Sequence, residues 1–416
     1  MGKNVVVIGG GIMGLSCAYY LYKEGHQVKV LDKSSMDGGA SYVNAGYLTP
    51  SHIIPLASPG MMAKGIKWMF DSSSPFYLRP RLDTDFIKWA WQFHRSSTSA
   101  KVNKAIPIIA EINVLSKELY QEMYDGGDLG DFQLVKDGLL MLYKSEKGGK
   151  AELQVMRRVQ DLGLEARELS LEELTMLQPG LSPEIRGAMH YQCDAHTTPT
   201  QFMEKLKEYL LARGVEIHPN TEVRGFSHVK DTLTGVKSDR KDFPAEEVVL
   251  ASGAWSPLLA GELGLKLSLQ AGKGYRIDIY RPTPVKLPAI LMEAKVAVTP
   301  MEGFTRLAGT MEFSGINHHI RKNRVAAIAR LAEKYYEDFE VQPQEEAKAA
   351  CGLRPVTPDG LPYIGRVSGW KNLSLATGHA MMGWSLGPVT GKLISEIISG
   401  KTTSLSLNGL HPERRF

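Results

Sequence analysis

The stretch from Asn4 to Asp32 constrains this chain more than any other. Asn4-Val-Val-Val-Ile-Gly9 is a short continuous apolar run of the kind that forms a buried parallel strand. Gly9-x-Gly11-x-x-Gly14 follows without a gap. Ile12 to Glu24 then carries Leu15, Ala18, Tyr19 and Tyr22 at helical spacing, Gly25 stops the helix, and Gln27 to Leu31 is a second strand ending at Asp32. Each residue type answers a physical need. Gly9 permits the tight turn, Gly11 lets backbone approach a pyrophosphate on the helix N-terminus, Gly14 lets helix pack on strand, and Asp32 accepts from ribose hydroxyls. A carboxylate there repels a 2′-phosphate, so a dinucleotide without one is favoured. The unit leaves open whether that dinucleotide is FAD or NAD.

At 416 residues the chain has room for two or three domains, or for one large enzyme with a discontinuous second domain. The balance of 49 Lys and Arg against 45 Asp and Glu gives a net charge of only +4, with no basic block, which removes support for nucleic-acid binding. Cys17, Cys193 and Cys351 are odd in number and far apart, which argues for a reducing compartment. No apolar run is long enough for a spanning helix, and the N-terminus enters the first strand almost at once. The expectation is a cytoplasmic protein, with peripheral contact at the inner face of the membrane left open.

Lys33 to Pro50 is polar, glycine-rich and without period, and reads as a functional loop: Ala45 and Gly46 would admit a flat ring, and Ser41, Asn44 and Thr49 offer hydrogen bonds. Met61 to Arg95 mixes Trp68, Phe70, Trp89 and Trp91 with Lys64, Lys67, Lys88 and Arg95, a composition suited either to a membrane surface or to a core at helical spacing. Helices are expected over Val102 to Tyr124, Gly148 to Leu162, Leu171 to Leu177 with a Ser170 capping box, Thr198 to Arg213 and Arg321 to Phe339. Phe132 to Tyr143, with Gly138, reads as a strand pair, and Thr221 to Ser238 as a hairpin. His190-x-x-Cys193-Asp194-x-His196 lacks the spacing of a structural zinc site and reads as a local turn, so no metal is expected. Glu247 to Leu250 has the form of a strand returning to the nucleotide sheet, where Ser252-Gly253 would admit backbone to the ligand.

Two later stretches carry chemistry. Cys351-Gly-Leu-Arg354-Pro-Val-Thr-Pro-Asp359-Gly-Leu-Pro362 is expected to hold Arg354 in a proline- and glycine-stiffened loop, where a guanidinium can grip a carboxylate through two parallel bonds. Asn372 to Pro388 reads as a strand, a glycine-rich turn and a helix from about Trp384 to Ser399, whose N-terminus would stabilise negative charge.

In this order the motifs resemble the D-amino-acid oxidase superfamily of FAD enzymes, and most of all its bacterial D-amino-acid dehydrogenase branch. The residues that carry the likeness are Val7 to Gly14 with Asp32, Ser41-x-x-Asn44-Ala-Gly46, Ala251 to Ser256, Gly272-Lys-Gly-Tyr275, Leu307 to Glu312, Gly352-Leu-Arg-Pro355 with Asp359 to Pro362, and Gly378-His-x-x-x-Gly383-Trp-Ser. The resemblance implies an α/β fold: a Rossmann-type FAD-binding domain (1–90, 190–270 and 345–416) and a discontinuous α+β substrate domain (91–189 and 271–344) on a mixed or antiparallel sheet. It implies oxidative deamination of D-amino acids, D-proline or hydroxyproline among them, by hydride transfer from Cα to flavin N5, with electrons passed to a quinone or similar acceptor. Arg354 stands at the position that holds the substrate carboxylate. Tyr275, His52 and Tyr47 are further pocket candidates. The expected cofactor set is Gly9, Gly11, Ile12, Met13, Gly14, Asp32 and Lys33; Ser41, Asn44, Ala45, Gly46 and Leu48; Val223, Ser252 and Gly253; and Gly378, His379, Met381, Met382, Gly383 and Trp384. Glycine oxidases, which the chain also resembles, carry an additional arginine after Gly-His. Here that region is Ala380-Met381-Met382, which ranks a larger or more apolar substrate first and a glycine- or sarcosine-type oxidase using oxygen second. A flavin- or nucleotide-binding protein without catalysis is the reading from a different class.

Overall fold

The computed structural model describes residues 2–61, 76–79, 81 and 83–416. β1 (Asn4–Ile8), α1 (Ile12–Lys23) and β2 (Gln27–Leu31) form the expected unit, and β1 and β2 pair in parallel with Val7 opposite Val30. Val5 to Ile8 are buried on both faces, as an unbroken apolar run requires. The strand Glu247–Leu250 returns beside β1, and the six-stranded order is 216–218, β2, β1, 247–250, 373–377, 363–366. All neighbours are parallel except the last pair.

The second layer is a nine-stranded mixed sheet. Its path runs through 350–356, 270–279, 304–313, 296–301, 289–291, 139–143, 187–191 and 167–169, with 76–78 added in parallel to the end of 304–313. The helix Ser99–Asp125, within the span expected for the substrate domain, instead buries Ile109, Ile112 and Tyr120 in the core that α1 shares with the C-terminal helix Gly387–Ile398. Conversely, the strand Ala350–Val356 belongs to the large sheet.

Several local expectations are corrected. Arg354 lies in a regular strand and not in a loop, with Gly352 opposite Gly274 and Arg354 opposite Gly272. That strand ends the sheet, and an edge tolerates Pro355 because few ladder bonds are forfeited there. Phe132 to Tyr143 is no strand pair: Leu134–Val135 joins Ala195–Thr197, whereas Leu139–Tyr143 joins the large sheet, the chain turning at Gly138 with φ +83°. The amphipathic helix is shorter than its apolar pattern, Lys322–Glu333, since Tyr336 bridges Leu181 and Asp338 takes φ +50°. The last helix starts at Gly387 and not at Trp384, whose indole donates to Thr197 Oγ1 at 2.8 Å and whose carbonyl accepts from the Tyr120 hydroxyl at 2.7 Å.

Trp89, expected at a membrane surface in one reading, is core: it is buried, packs against Phe93 and Phe313, and donates to the Val356 carbonyl at 2.9 Å. Trp91 and Ile87 on the same helix, Thr84–Ser96, are exposed. Trp68, Phe70, Lys64 and Lys67 lie outside the described residues. Among the described residues no helix is long and apolar enough to cross a membrane.

Candidate active site

The carboxyl ends of the parallel strands open onto one cavity of about 950 Å³ that continues to the face of the large sheet. Open α/β sheets bind ligands at this edge. The turn after β1 is shaped by clearance. Gly9 takes φ +113°, and a Cβ on Gly14 would stand 1.7 Å from the Gly9 carbonyl oxygen, so helix and strand meet only as glycines. Asp32 Oδ2 accepts from the Gly10 amide at 2.6 Å and Oδ1 from the Ser34 amide and hydroxyl, which holds the carboxylate at the rim with acceptor capacity to spare. Ser41 Oγ accepts from the Ile12 amide at 2.9 Å and so ties the long loop to the start of α1.

The loop is held from the other side by the large sheet. The Arg306 guanidinium pairs with Asp278 at 2.8 and 3.0 Å, and its Nη1 donates to the carbonyls of Tyr42 and Asn44 at 2.8 Å. Thr299 donates to the Ala45 carbonyl at 2.8 Å. Arg306 was not foreseen; a charged residue inside the apolar strand run around Leu307 was the available signal.

Of the expected cofactor residues, Gly9, Gly11, Ile12, Met13, Asp32, Lys33, Ser41, Asn44, Ala45, Val223, Ser252, Gly253, His379, Met381, Gly383 and Trp384 line the cavity. Gly14, Gly46, Leu48, Gly378 and Met382 stand outside its lining: Leu48 is core, Met382 packs against that core, and a Cβ on Gly46 would meet the Thr197 carbonyl oxygen at 2.1 Å. Burial pushes the His379 imidazole down to about 3, and Nε2 lies 2.9 Å from Thr390 Oγ1, so the ring is neutral.

Arg354, Tyr275, His52 and Tyr47 all line the cavity, but their heads are committed differently. The Tyr47 hydroxyl lies 2.9 Å from the carbonyls of both Ala289 and Val298, and Tyr275 donates to Glu312 at 2.6 Å. Burial raises both phenols, so neither serves as an acid or base near neutral pH. Both tyrosines thus border the cavity with their hydroxyls already bonded to protein groups. His52 carries no hydrogen bond on its ring among the described residues, and burial lowers it to about 4, leaving a neutral imidazole. Arg354 donates from Nη1 to the Thr310 carbonyl at 2.9 Å. Burial alone moves the guanidinium, down to about 10; no carboxylate among the described residues acts on it. A largely buried cation in that state has capacity for an anion.

The metal expectation concerned His190 and its neighbours. His190 Nε2 lies 2.8 Å from the Asp137 carbonyl, His196 Nε2 lies 2.9 Å from the Pro300 carbonyl, and Asp194 accepts from Ser51, so each of the three has a structural partner.

Glycines where a Cβ would strike backbone, Ser41 on the helix start and an acid at the end of β2 are the fittings of a bound dinucleotide, and the cavity extends past them to Arg354. The sequence profile of the family described as FAD dependent oxidoreductase matches residues 4–397. A D-amino acid dehydrogenase of Helicobacter pylori is 32% identical over 399 residues, covering 95% of each chain. One from Neisseria meningitidis serogroup C is 30% identical over 418 residues, covering 99% of each. The fold is that of the glycine oxidase from Geobacillus kaustophilus (TM-score 0.79, 22% identity, 100% of both chains) and of an L-proline dehydrogenase from P. horikoshii (TM-score 0.75, 19% identity, 99% and 97%).

Proposed function

The chain belongs to the FAD dependent oxidoreductase family, and from that premise we propose that it oxidises D-amino acids at Cα and passes the electrons to a quinone or similar acceptor. The observation that carries this reading is Arg354, a largely buried guanidinium free of carboxylates among the described residues, in the same cavity as the nucleotide fingerprint. The D configuration is supported by the relatives named D-amino acid dehydrogenase.

The backbone of Gly9 to Gly11 and the start of α1 would hold the pyrophosphate, Asp32 the ribose, and the segments around Asn44–Ala45 and Met381–Gly383 the ring. The chemistry FAD supplies when bound is acceptance of a hydride. Arg354 anchors the substrate carboxylate and thereby directs Cα–H. His52 offers a neutral ring to the amine, and the apolar walls, Leu56 and Met311 among them, keep water from the reacting carbon. Loss of the hydride from Cα and of a proton from nitrogen leaves an imino acid, which water hydrolyses to the keto acid and ammonia. Met381 at the wall in place of a second arginine favours a substrate larger or more apolar than glycine. Exposed Ile87 and Trp91 beside Lys88 and Arg95 would let helix 84–96 rest on a membrane that carries the acceptor.

Anaerobic bleaching of the flavin with D-alanine, D-proline, glycine and sarcosine, followed by turnover with a dye against oxygen, tests this. Arg354→Ala is expected to stay yellow and lose about 2–5 kcal/mol of substrate binding, roughly 30-fold or more in affinity. Turnover with glycine and oxygen alone would overturn the reading.

A further inference from the structure

Opposite Arg354 the large sheet is irregular. Lys273 faces Glu312 but Tyr275 faces Gly309, so the strand Phe304–Phe313 carries one extra residue there, a β-bulge. Thr310 sits inside the bulge at φ +69°, a conformation that β-branched residues rarely adopt. Its carbonyl accepts from Arg354 Nη1 at 2.9 Å. On the neighbouring strand Gly274 leaves the space the guanidinium fills: an added Cβ would stand 2.2 Å from Nη1, 2.3 Å from Nη2 and 2.4 Å from Cζ. Bulges and unusual backbone angles next to a site re-aim side chains.

We propose that Gly274 and the Thr310 bulge form a socket that aims Arg354, both acting as positioning residues for the substrate carboxylate. The inference rests on the reading of Arg354 given above. An arginine side chain has many rotamers, and a carboxylate is gripped through two bonds only when the fork already faces it. The Thr310 carbonyl takes one N–H and sets the rotation of the fork. Gly274 lets the group lie across the sheet, where a methyl group would push it off both the carbonyl and the cavity.

The test compares D-alanine with D-alaninamide, which lacks the carboxylate charge, by half-saturation of anaerobic flavin bleaching in the holoenzyme. The native protein should prefer D-alanine, and Arg354→Ala should abolish the preference. Gly274→Ala should keep its flavin yet cut the preference roughly tenfold or more, the equivalent of about 1.4 kcal/mol. Arg354→Lys supplies the control, because its narrower ammonium leaves room for the methyl: adding Gly274→Ala in that background should change the preference by less than roughly twofold. The socket is refuted by a Gly274→Ala enzyme with native preference, by equal losses on both substrates, or by a methyl that costs as much, or prevents folding, in the lysine background. If the native enzyme shows no preference, or Arg354→Ala retains it, the carboxylate grip itself falls and the socket with it.

Discussion

Asp194 should make the stability of this protein fall as pH rises from 4 to 7. The carboxyl is fully buried between the cavity rim and the large sheet, with Oδ1 accepting from the Ser51 amide at 3.0 Å and Oδ2 from the Ser51 hydroxyl at 2.5 Å. Burial pushes it up from 3.8 to about 7; the bonds from Ser51 and Cys193 and the attraction of Lys117 offset only part of that. Because its folded value lies above its unfolded value, the folded state keeps the proton longer. The contribution is complete below pH 4 and is lost as pH rises through about 7. A difference of about three units at 1.36 kcal/mol each amounts to about 4 kcal/mol. Asp194→Asn keeps the shape and removes the titration. Urea unfolding of the FAD-saturated holoenzyme at pH 4.5, 6 and 8 should show the variant gaining on the native protein across that window. Parallel curves at all three pH values would refute the assignment. Ser51 lies between Thr49 and His52, both on the cavity wall, so the titration of Asp194 takes place one residue from that wall.

Gly14→Ala should yield protein without flavin, since the new Cβ would lie 1.7 Å from the Gly9 carbonyl oxygen; absorbance in the visible band of the purified protein reports this. Glu312→Gln leaves the buried Lys273 ammonium, 3.1 Å away, without its carboxylate, and should cost about 3–5 kcal/mol by urea denaturation at pH 7. Ile87→Ser with Trp91→Ser should reduce sedimentation with anionic lipid vesicles without altering dye-linked turnover in solution; unchanged sedimentation would remove this helix from membrane contact.

The unit from β1 to β2 was legible because strand, turn, helix and acid are local signals in a fixed order. Arg354 was legible as a residue of the cavity but not as part of a strand. Gly352, Pro355 and Pro358 read as loop, yet strand pairing with 270–279 prevails at a sheet edge where proline is tolerated. The tyrosines illustrate another limit. Aromatic type and position pointed to the cavity, but the destinations of their hydroxyls, Val298 for Tyr47 and Glu312 for Tyr275, depend on contacts across 251 and 37 residues of chain. Helical period identified the segment holding Trp89 and Trp91 but not which of them faces inward. The bulge at Thr310 left no composition signal, because threonine is an ordinary strand residue and its backbone angle is imposed by neighbours.

Arg306 links the loop that carries Tyr42 and Asn44 to Asp278, and this bears on how the protein matures. The loop from Ser41 to Thr49 takes part of its anchorage from strands that the chain supplies more than 250 residues later. Contacts of such separation close late in folding. A nascent or truncated chain ending near residue 90 would possess the whole glycine fingerprint yet lack the clamp that presents the loop. Flavin capture is then expected to come near the end of assembly, so that yellow colour serves as a readout of a completed large sheet.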